Sequence, residues 1–358
     1  MFMKNIYLTL LIVAGITLLF SIGCSSDNDE NVPVDTHKYA WIVGQVDSNA
    51  YGNILYTNNG GETWVRQGDS GLMSNINLLN LAVYDKYTVW VVGDKYSAFK
   101  TNDGGTTWTK VSFPDNPLNP TIYSISMPDP FDIWVSGSSG LVMKSTNQGN
   151  TWTVFDANFF KNGDMQGIYA LDANNVFVAG QYNPGKSSRG FIAYTQSGGN
   201  SWDTIGLPEN HNKWLWIGVK ATSLSNIMVY GEKGHYTVTR NGGVTWNVSD
   251  SIASGGIGGD INDLIMLSPD MYWAACDYDQ IFKTTNSGST WTKQQAAGPG
   301  NAFLFGIDAL DKDSALVVSQ TAGYPPAGKI LKTTDGGNNW ILKKVTSTNL
   351  MKVAYSKR

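Results

Sequence analysis

One phrase occurs seven times in this chain, and its repetition constrains the fold more than any other feature. Each copy runs from Ser or Thr through a short polar turn to a tryptophan, and successive tryptophans lie 44 to 50 residues apart. The copies are "YTNNGGETW" to Trp64, "KTNDGGTTW" to Trp108, "KSTNQGNTW" to Trp152, "YTQSGGNSW" to Trp202, "VTRNGGVTW" to Trp246, "KTTNSGSTW" to Trp291 and "KTTDGGNNW" to Trp340. Such a period indicates stacked supersecondary units that bury their apolar faces against each other.

Each repeat predicts four β-strands. A short apolar run, usually closing on glycine, starts 18 to 25 residues before each tryptophan, as in "WVVG" (90–93). Another apolar segment precedes most of these runs, as in "LLNLAVY" (78–84). We name the preceding segment strand A, the glycine-ended run strand B, the residues entering the polar phrase strand C, and the residues from the tryptophan onward strand D. Four strands in a unit of about 44 residues predict one blade of a β-propeller.

The two ends of the chain are predicted to share a blade. The first unit begins at "HKYAWIVG" and has little room for strand A, whereas "LMKVAYSK" (350–357) aligns without gaps to the strand A segment "LNLAVYDK" (79–86). Pairing the ends closes the ring and removes exposed sheet edges. The sequence therefore predicts an all-β, seven-bladed propeller of four-stranded antiparallel blades, one domain over 38–358.

The polar phrase is predicted to be the turn between strands C and D. A central Asn or Asp bonds nearby backbone N–H groups, glycine takes a positive φ, and the tryptophan packs between blades as a structural anchor. The phrase resembles the Asp-box, or BNR, repeat, although the aspartate is kept only at Asp103 and Asp335. One carboxylate per turn does not supply a calcium site. We expect no metal and no cofactor.

The N-terminus predicts export and lipidation. Lys4 precedes a 15-residue apolar run (6–20), and "SIGC" resembles the lipobox of bacterial lipoproteins, which makes Cys24 the lipidated residue. Residues 1–23 are then a signal peptide and 24–37 a polar, disordered tether. An ordinary signal peptide or an uncleaved anchor is the alternative. The acidic tether resembles a surface-sorting signal, so we expect a cell-envelope, outer-membrane lipoprotein, with surface display left open.

Composition narrows the class of partner. The formal charge is −4, and only four arginines are present, which argues against the clustered basic face that nucleic-acid binding needs. The three histidines are scattered without metal-ligand spacing. We expect a monomeric propeller that contacts the membrane only through the Cys24 lipid and binds an unknown protein or glycan.

Loop length marks a candidate binding face. In such blades the B–C and D–A loops emerge on one face, opposite the repeated turns, and the longest are 181–190, 206–218 and 320–329. The candidate residues on this face are Tyr182, Arg189, His211, Trp214, Asp277 and Tyr324. Two alternatives stay open: the long loops are neutral insertions, and nearby Trp216 belongs to the core of strand A.

The chain as a whole resembles the photosystem II assembly and stability factors. Their seven-bladed propellers combine "W-x-V-G" with "K-T-x-D-G-G-x-T-W", and the resemblance covers nearly all of the chain after the tether. The resemblance implies a non-catalytic propeller that binds a protein or glycan through the face formed by its B–C and D–A loops. The arginine-rich patch of that family has no counterpart here, because the arginines are Arg66, Arg189, Arg240 and Arg358.

A carbohydrate-active enzyme is the alternative function. Sialidases resemble the chain in the Asp-box, but they clamp a substrate carboxylate with three convergent arginines, for which this chain offers only Arg189 on the loop face. Xyloglucanase-type glycoside hydrolases also carry the box and need two carboxylates about 5 to 9.5 Å apart. The candidates for such a pair are Asp260 with Asp263, and Asp277 with Asp279. No catalytic residue is assigned.

Overall fold

The fold is taken from a computed structural model. It describes residues 38–68, 71–156, 158, 160–161, 163–182, 189–208, 211–249, 251–252, 259–294, 302–321 and 326–356. The predicted signal peptide and tether, with Cys24, lie outside these residues, as does Tyr324.

Twenty-eight strands make up the regular structure of the described residues, with a single 3₁₀ turn at Glu232–Gly234. The first fifteen are β1 (Ala40–Gly44), β2 (Asn53–Thr57), β3 (Val65–Gln67), β4 (Leu78–Val83), β5 (Val89–Gly93), β6 (Ser97–Thr101), β7 (Thr109–Lys110), β8 (Ile122–Ser126), β9 (Ile133–Gly137), β10 (Val142–Ser145), β11 (Thr153–Val154), β12 (Gly163–Ala170), β13 (Val176–Tyr182), β14 (Arg189–Thr195) and β15 (Asp203–Ile205). The others are β16 (Trp216–Ala221), β17 (Ile227–Gly231), β18 (Tyr236–Thr239), β19 (Asn247–Ser249), β20 (Ile261–Met266), β21 (Tyr272–Cys276), β22 (Gln280–Thr284), β23 (Thr292–Gln294), β24 (Ala302–Ala309), β25 (Ala315–Thr321), β26 (Gly328–Thr333), β27 (Ile341–Thr346) and β28 (Leu350–Tyr355).

The strands form seven four-stranded antiparallel sheets, so the predicted seven-bladed propeller is confirmed. Blade 1 has the order β28-β1-β2-β3, and blades 2 to 7 follow in sets of four, from β4–β7 to β24–β27. The C-terminal strand pairs with β1, with Tyr355 opposite Ala40 and Val353 opposite Ile42. The predicted closure of the first blade by residues near 350–357 is therefore confirmed.

In the described residues, seven buried clusters lie at the seams between neighbouring blades, and one repeat tryptophan belongs to each cluster or packs against it. Trp64, for example, packs with Leu316 of blade 7 and Leu55 of blade 1. The other six tryptophans occupy the other seams: Trp108, Trp152, Trp202, Trp246, Trp291 and Trp340. Burying an indole contributes a large apolar area, and repetition at every seam holds the ring together.

A second set of tryptophans, in the glycine-ended strand B, meets the repeat tryptophan of the next blade edge to face. The pairs and centroid distances are Trp90 with Trp152 at 6.2 Å, Trp134 with Trp202 at 6.0 Å, and Trp273 with Trp340 at 5.6 Å. Lys283 covers the Trp273 ring at 4.4 Å and donates to the Gly336 carbonyl of the next blade. A Cβ at Gly337 would lie 2.8 Å from the Trp273 ring, so the turn needs glycine there.

Side-chain hydrogen bonds fix the repeated turn. In blade 2 the Thr107 N–H and hydroxyl donate to the two Asp103 oxygens, at 2.9 and 2.6 Å, and Gly105 N–H donates to Thr101 Oγ1. Where Asn147 replaces the aspartate, its Oδ1 accepts from Thr151 N–H and its Nδ2 donates to the Thr151 hydroxyl. The Asn copies keep both contacts, because the Thr hydroxyl accepts a hydrogen bond from the amide instead of donating one to a carboxylate. Asparagine can therefore replace aspartate in this turn.

This equivalence predicts how Asp103→Asn behaves. The hydrogen bonds from Thr107 lower the pKa of Asp103 from 3.8 to about 2. Because the folded pKa lies below the unfolded one, the carboxylate stabilises the fold above about pH 4, and this contribution disappears as the pH falls through about 2. Asp103→Asn should be nearly neutral at pH 7 but should flatten the acid side of the stability profile. Urea unfolding midpoints at pH 2 to 7 measure this; parallel profiles of parent and variant would contradict it.

Candidate functional site

The two ends of the propeller are distinct surfaces. On one, the repeated turns lie beside the A–B turns, since Gly104 N–H donates to the Tyr87 carbonyl at 3.0 Å. On the other, B–C turns lie beside D–A loops, since Tyr96 N–H donates to the Pro120 carbonyl at 2.9 Å. We call these the box face and the loop face. The sequence-predicted candidates in the described residues belong to the loop face.

Two B–C hairpins of the loop face turn through non-glycine residues in the left-handed region. Lys95 and Tyr96 have φ of 54° and 53°, and Tyr278 and Asp279 have φ of 62° and 54°. Three residues separate the paired ends of each hairpin, Gly93 from Ser97 and Cys276 from Gln280, and a bulky side chain adopts a positive φ only at a cost. Tyr278 is 46% exposed and is presented to solvent by this turn. Sequence reasoning missed Tyr278, because no glycine in its short turn marks the positive φ that the tyrosine adopts.

Tyr182 and Arg189 lie opposite each other at the loop-face end of blade 4. They are register partners at the ends of β13 and β14, and both side chains are exposed. The residues between them, 183–188, lie outside the described part of the chain. The extended hairpin therefore brings one aromatic and one cationic side chain together, and their involvement in binding stays a prediction.

The D–A loop that enters blade 5 is an aromatic stack. Trp214 lies 3.6 Å from His235, with ring planes 7° apart, and 4.4 Å from His211. His211 is 1% exposed, Trp214 is half-buried, and Trp216 is fully buried. Trp216 is thus a core residue, while His211 lies beneath the rim instead of on it. The involvement of His211 and Trp214 in binding stays a prediction.

Asp277 connects two elements of the loop face. Its Oδ2 accepts the Asp260 N–H at 2.9 Å, and its Oδ1 accepts from the Asn262 side chain at 2.8 Å. Asp277→Ala would remove the acceptor for both donors, so we expect a loss of about 1–3 kcal/mol in the free energy of unfolding. Asp277→Asn, which keeps one acceptor, is the matched variant and should lose less. Equal stability of parent and Ala variant in urea melts would contradict this role.

A buried ion pair joins the innermost strands of blades 6 and 1. Lys352 Nζ lies 2.5 Å from Asp263 Oδ2, which also accepts the Ile307 N–H at 2.9 Å. The Tyr230 hydroxyl donates to Asp263 Oδ1 at 3.5 Å, and burial together with this carboxylate raises the pKa of Tyr230 well above its ordinary value. Tyr230 therefore stays a donor. Asp263 is 2% exposed.

The two remaining carboxylates of the hydrolase alternative are also engaged. Asp260 Oδ1 accepts the Lys233 N–H at 2.9 Å. Asp279 Oδ2 accepts the Ala302 N–H at 3.2 Å, and Lys329 Nζ lies 3.8 Å from the same oxygen. A glycosidase pair needs one proton-donating and one nucleophilic or basic carboxyl group directed at a substrate. These four side chains are instead bonded to neighbouring backbone or cations.

A central cavity of about 510 Å³ runs between the strands A of all seven blades. Each strand A slips register by a β-bulge near its loop-face end, which bends it around the hub. Seven half-buried residues at these bulges line the cavity: Leu79, Tyr123, Gln166, Ile217, Asn262, Phe305 and Met351. We call this set the mouth ring. Sequence reasoning missed the mouth ring, because no pattern in strand A indicates a bulge.

The described residues hold no cluster of three or more metal-ligating side chains. Cys276 is buried, as the sequence predicted, and burial raises the pKa of its thiol well above the ordinary value, which keeps the sulfur unreactive. Within the described ranges, helices long and apolar enough for a membrane crossing are absent.

Residues 69–206 match the sequence profile of the photosynthesis system II assembly factor YCF48 family. Over that stretch, the chain resembles the YCF48 family. A search of curated protein sequences finds no significant match.

Solved structures show the same fold. YCF48 from Cyanidioschyzon merolae is 16% identical, with a TM-score of 0.61, over 86% of this chain and 98% of that one. YCF48 bound to a D1 peptide is also 16% identical, with a TM-score of 0.58, over 84% and 85% of the two chains. The GH74 enzyme of Niastella koreensis is 16% identical, with a TM-score of 0.50, over 86% of this chain but 64% of its own. At such identities the likeness supports the YCF48-like propeller fold alone.

Proposed function

We propose that this chain is a non-catalytic binding or assembly propeller that recognises a protein segment through its loop face. The observation that carries the proposal is that the carboxylates of the hydrolase alternative are bonded to other groups of the protein. Asp263 and Asp277, which an enzyme would need for acid–base work, each accept hydrogen bonds from their surroundings. The rim instead exposes Tyr182, Arg189 and Tyr278, and exposed aromatic and arginine side chains are typical anchors of protein interfaces.

Protein is favoured over glycan as the ligand because of the YCF48 comparison. One YCF48 structure contains a bound D1 peptide, and both YCF48 chains are covered over most of their length. The chain of the GH74 enzyme is covered over 64%, so part of that enzyme has no counterpart in this propeller. Because the identity is only 16%, the D1 peptide is not inferred to be the partner of this chain.

We also propose that the propeller acts at a membrane surface. The lipobox-like "SIGC" would place lipid on Cys24, and residues 24–37 would tether the disc to an outer membrane. Metabolic labelling with a palmitate analogue, compared between the full chain and Cys24→Ala, tests the anchor; equal labelling would contradict it.

Two matched triple variants test recognition by the loop face. The loop-face variant combines Tyr182→Ala, Arg189→Ala and Tyr278→Ala, and the box-face control combines Tyr87→Ala, Val244→Ala and Lys312→Ala at exposed positions. We expect partners that co-purify with the full chain to be reduced at least about tenfold by the first variant and retained by the second. Equal retention by both would contradict the proposal.

The non-catalytic part of the proposal has its own test. The full chain is incubated with a panel of polysaccharides and sialosides, and released sugar is measured. We expect no release. Release that disappears on replacing Asp263 or Asp277 by Asn, with folding confirmed by circular dichroism, would establish the hydrolase alternative instead.

A further inference from the structure

The central cavity has the size and the entrance of a ligand site. Its volume of about 510 Å³ lies within the range of about 300–1,000 Å³ found for small-molecule pockets. Five members of the mouth ring are apolar or aromatic, and none of them is fully buried: Leu79, Tyr123, Ile217, Phe305 and Met351. The entrance therefore offers partly exposed apolar surface to the body of a ligand.

The two carboxylates that line the cavity accept hydrogen bonds from neighbouring strands A. Asp308 accepts the Ala309 N–H at 2.9 Å and the Tyr355 N–H at 2.8 Å, and it is 6% exposed. Asp263, 2% exposed, accepts the Ile307 N–H and pairs with Lys352. Both aspartates thus connect neighbouring strands A and present little of their charge to the cavity.

The lysines are the charged groups that reach the cavity. The Lys352 side chain is 17% exposed, and an ammonium group carries three donors, of which the Asp263 contact uses one. Lys220 also lines the cavity and is half-buried, with Nζ 5.2 Å from the centre of the Tyr169 ring. Cationic donors near an apolar ring complement an anionic head carried by an apolar body.

We propose that the central cavity binds a carboxylate with an apolar body, held at its head by Lys220 and Lys352 and at its body by the mouth ring. A free aliphatic acid and the C-terminal residue of a peptide share this chemistry. Tyr123 and Phe305 in the ring would contact the body, and the bulges of strand A direct these side chains into the hub.

This site is separate from the rim residues on which the proposed function rests. Tyr182, Arg189 and Tyr278 lie in hairpins between strands B and C, whereas Lys220 and Phe305 lie on strand A. Either proposal can therefore fail without the other. The loop-face variant should leave carboxylate binding unchanged. Variants of Lys220 and Phe305 should show whether partner binding also uses the cavity.

Calorimetric titration of the full chain tests the cavity with four probes. Octanoate and N-acetyl-leucyl-phenylalanine are the free-acid and peptide carboxylates, and their amides are the neutral controls. Three variants are compared: Lys220→Met, which removes the charge but keeps the stem; Phe305→Ala, which opens the mouth ring; and Lys293→Met, at an exposed outer lysine of β23.

We expect at least one carboxylate to bind and its amide to bind at least about tenfold more weakly. Lys220→Met and Phe305→Ala should each weaken binding about tenfold, and Lys293→Met should not change it. Whether octanoate or the peptide binds identifies the source of the ligand. Absence of binding by both acids, equal binding of acid and amide, or full binding by folded Lys220→Met would overturn the proposal.

Discussion

A chain that lacks residues 348–358 is expected to lose its cooperative unfolding transition. These residues supply β28, the innermost strand of blade 1, whose Leu350, Val353 and Tyr355 side chains are 0–2% exposed. Burying three such side chains is worth about 5–9 kcal/mol, which is comparable with the whole stability of a domain. The truncation also leaves β1 with an exposed edge. Thermal and urea melts, followed by tryptophan fluorescence, measure the loss.

Two controls separate closure from the loss of individual contacts. Leu350→Ala in the full-length chain should cost about 2–5 kcal/mol but keep one cooperative transition, because β28 still pairs with β1. A synthetic peptide of residues 348–358, added to the truncated chain, should restore the transition. A truncated chain that melts like the parent would contradict closure by the C-terminal strand.

Lys352→Met is expected to lower the free energy of unfolding by about 3–5 kcal/mol. The substitution keeps the stem but leaves the buried Asp263 carboxylate without its cation, while the Ile307 N–H and the Tyr230 hydroxyl still need an acceptor. The double variant Lys352→Met with Asp263→Asn removes both charges and should recover most of the loss. Equilibrium unfolding in urea gives the values. A single variant as stable as the parent, or a double variant worse than the single, would contradict this assignment.

The sequence alone predicted the propeller because the determinants of the blade are local and repeated. The phrase around Trp108 contains the turn residues, the glycine and the indole, and the structure shows each of them in use. Closure was predictable because the segment at 350–357 resembles strand A of the other blades. Both inferences compare one part of the sequence with another, which needs no knowledge of tertiary contacts.

The candidate site was predicted less completely, because its contacts come from separate loops. Trp214 and His235 belong to different loops, and nothing in either segment indicates that their rings stack at 3.6 Å. The mouth ring depends on bulges, and a bulge shifts the period-2 pattern by which strand faces are assigned. In β4, Leu79 and Asn80 are both half-buried, so the alternation that the sequence reading assumes is broken there.

Site-specific photo-crosslinking tests most directly whether the loop face recognises a protein. A photoreactive amino acid is placed at Lys233 or Tyr278 on the loop face and at Val244 or Asn338 on the box face, all in the full chain. We expect the loop-face positions to crosslink to a common protein partner and the box-face positions not to do so. Crosslinks confined to Val244 and Asn338, or equal on both faces, would contradict it.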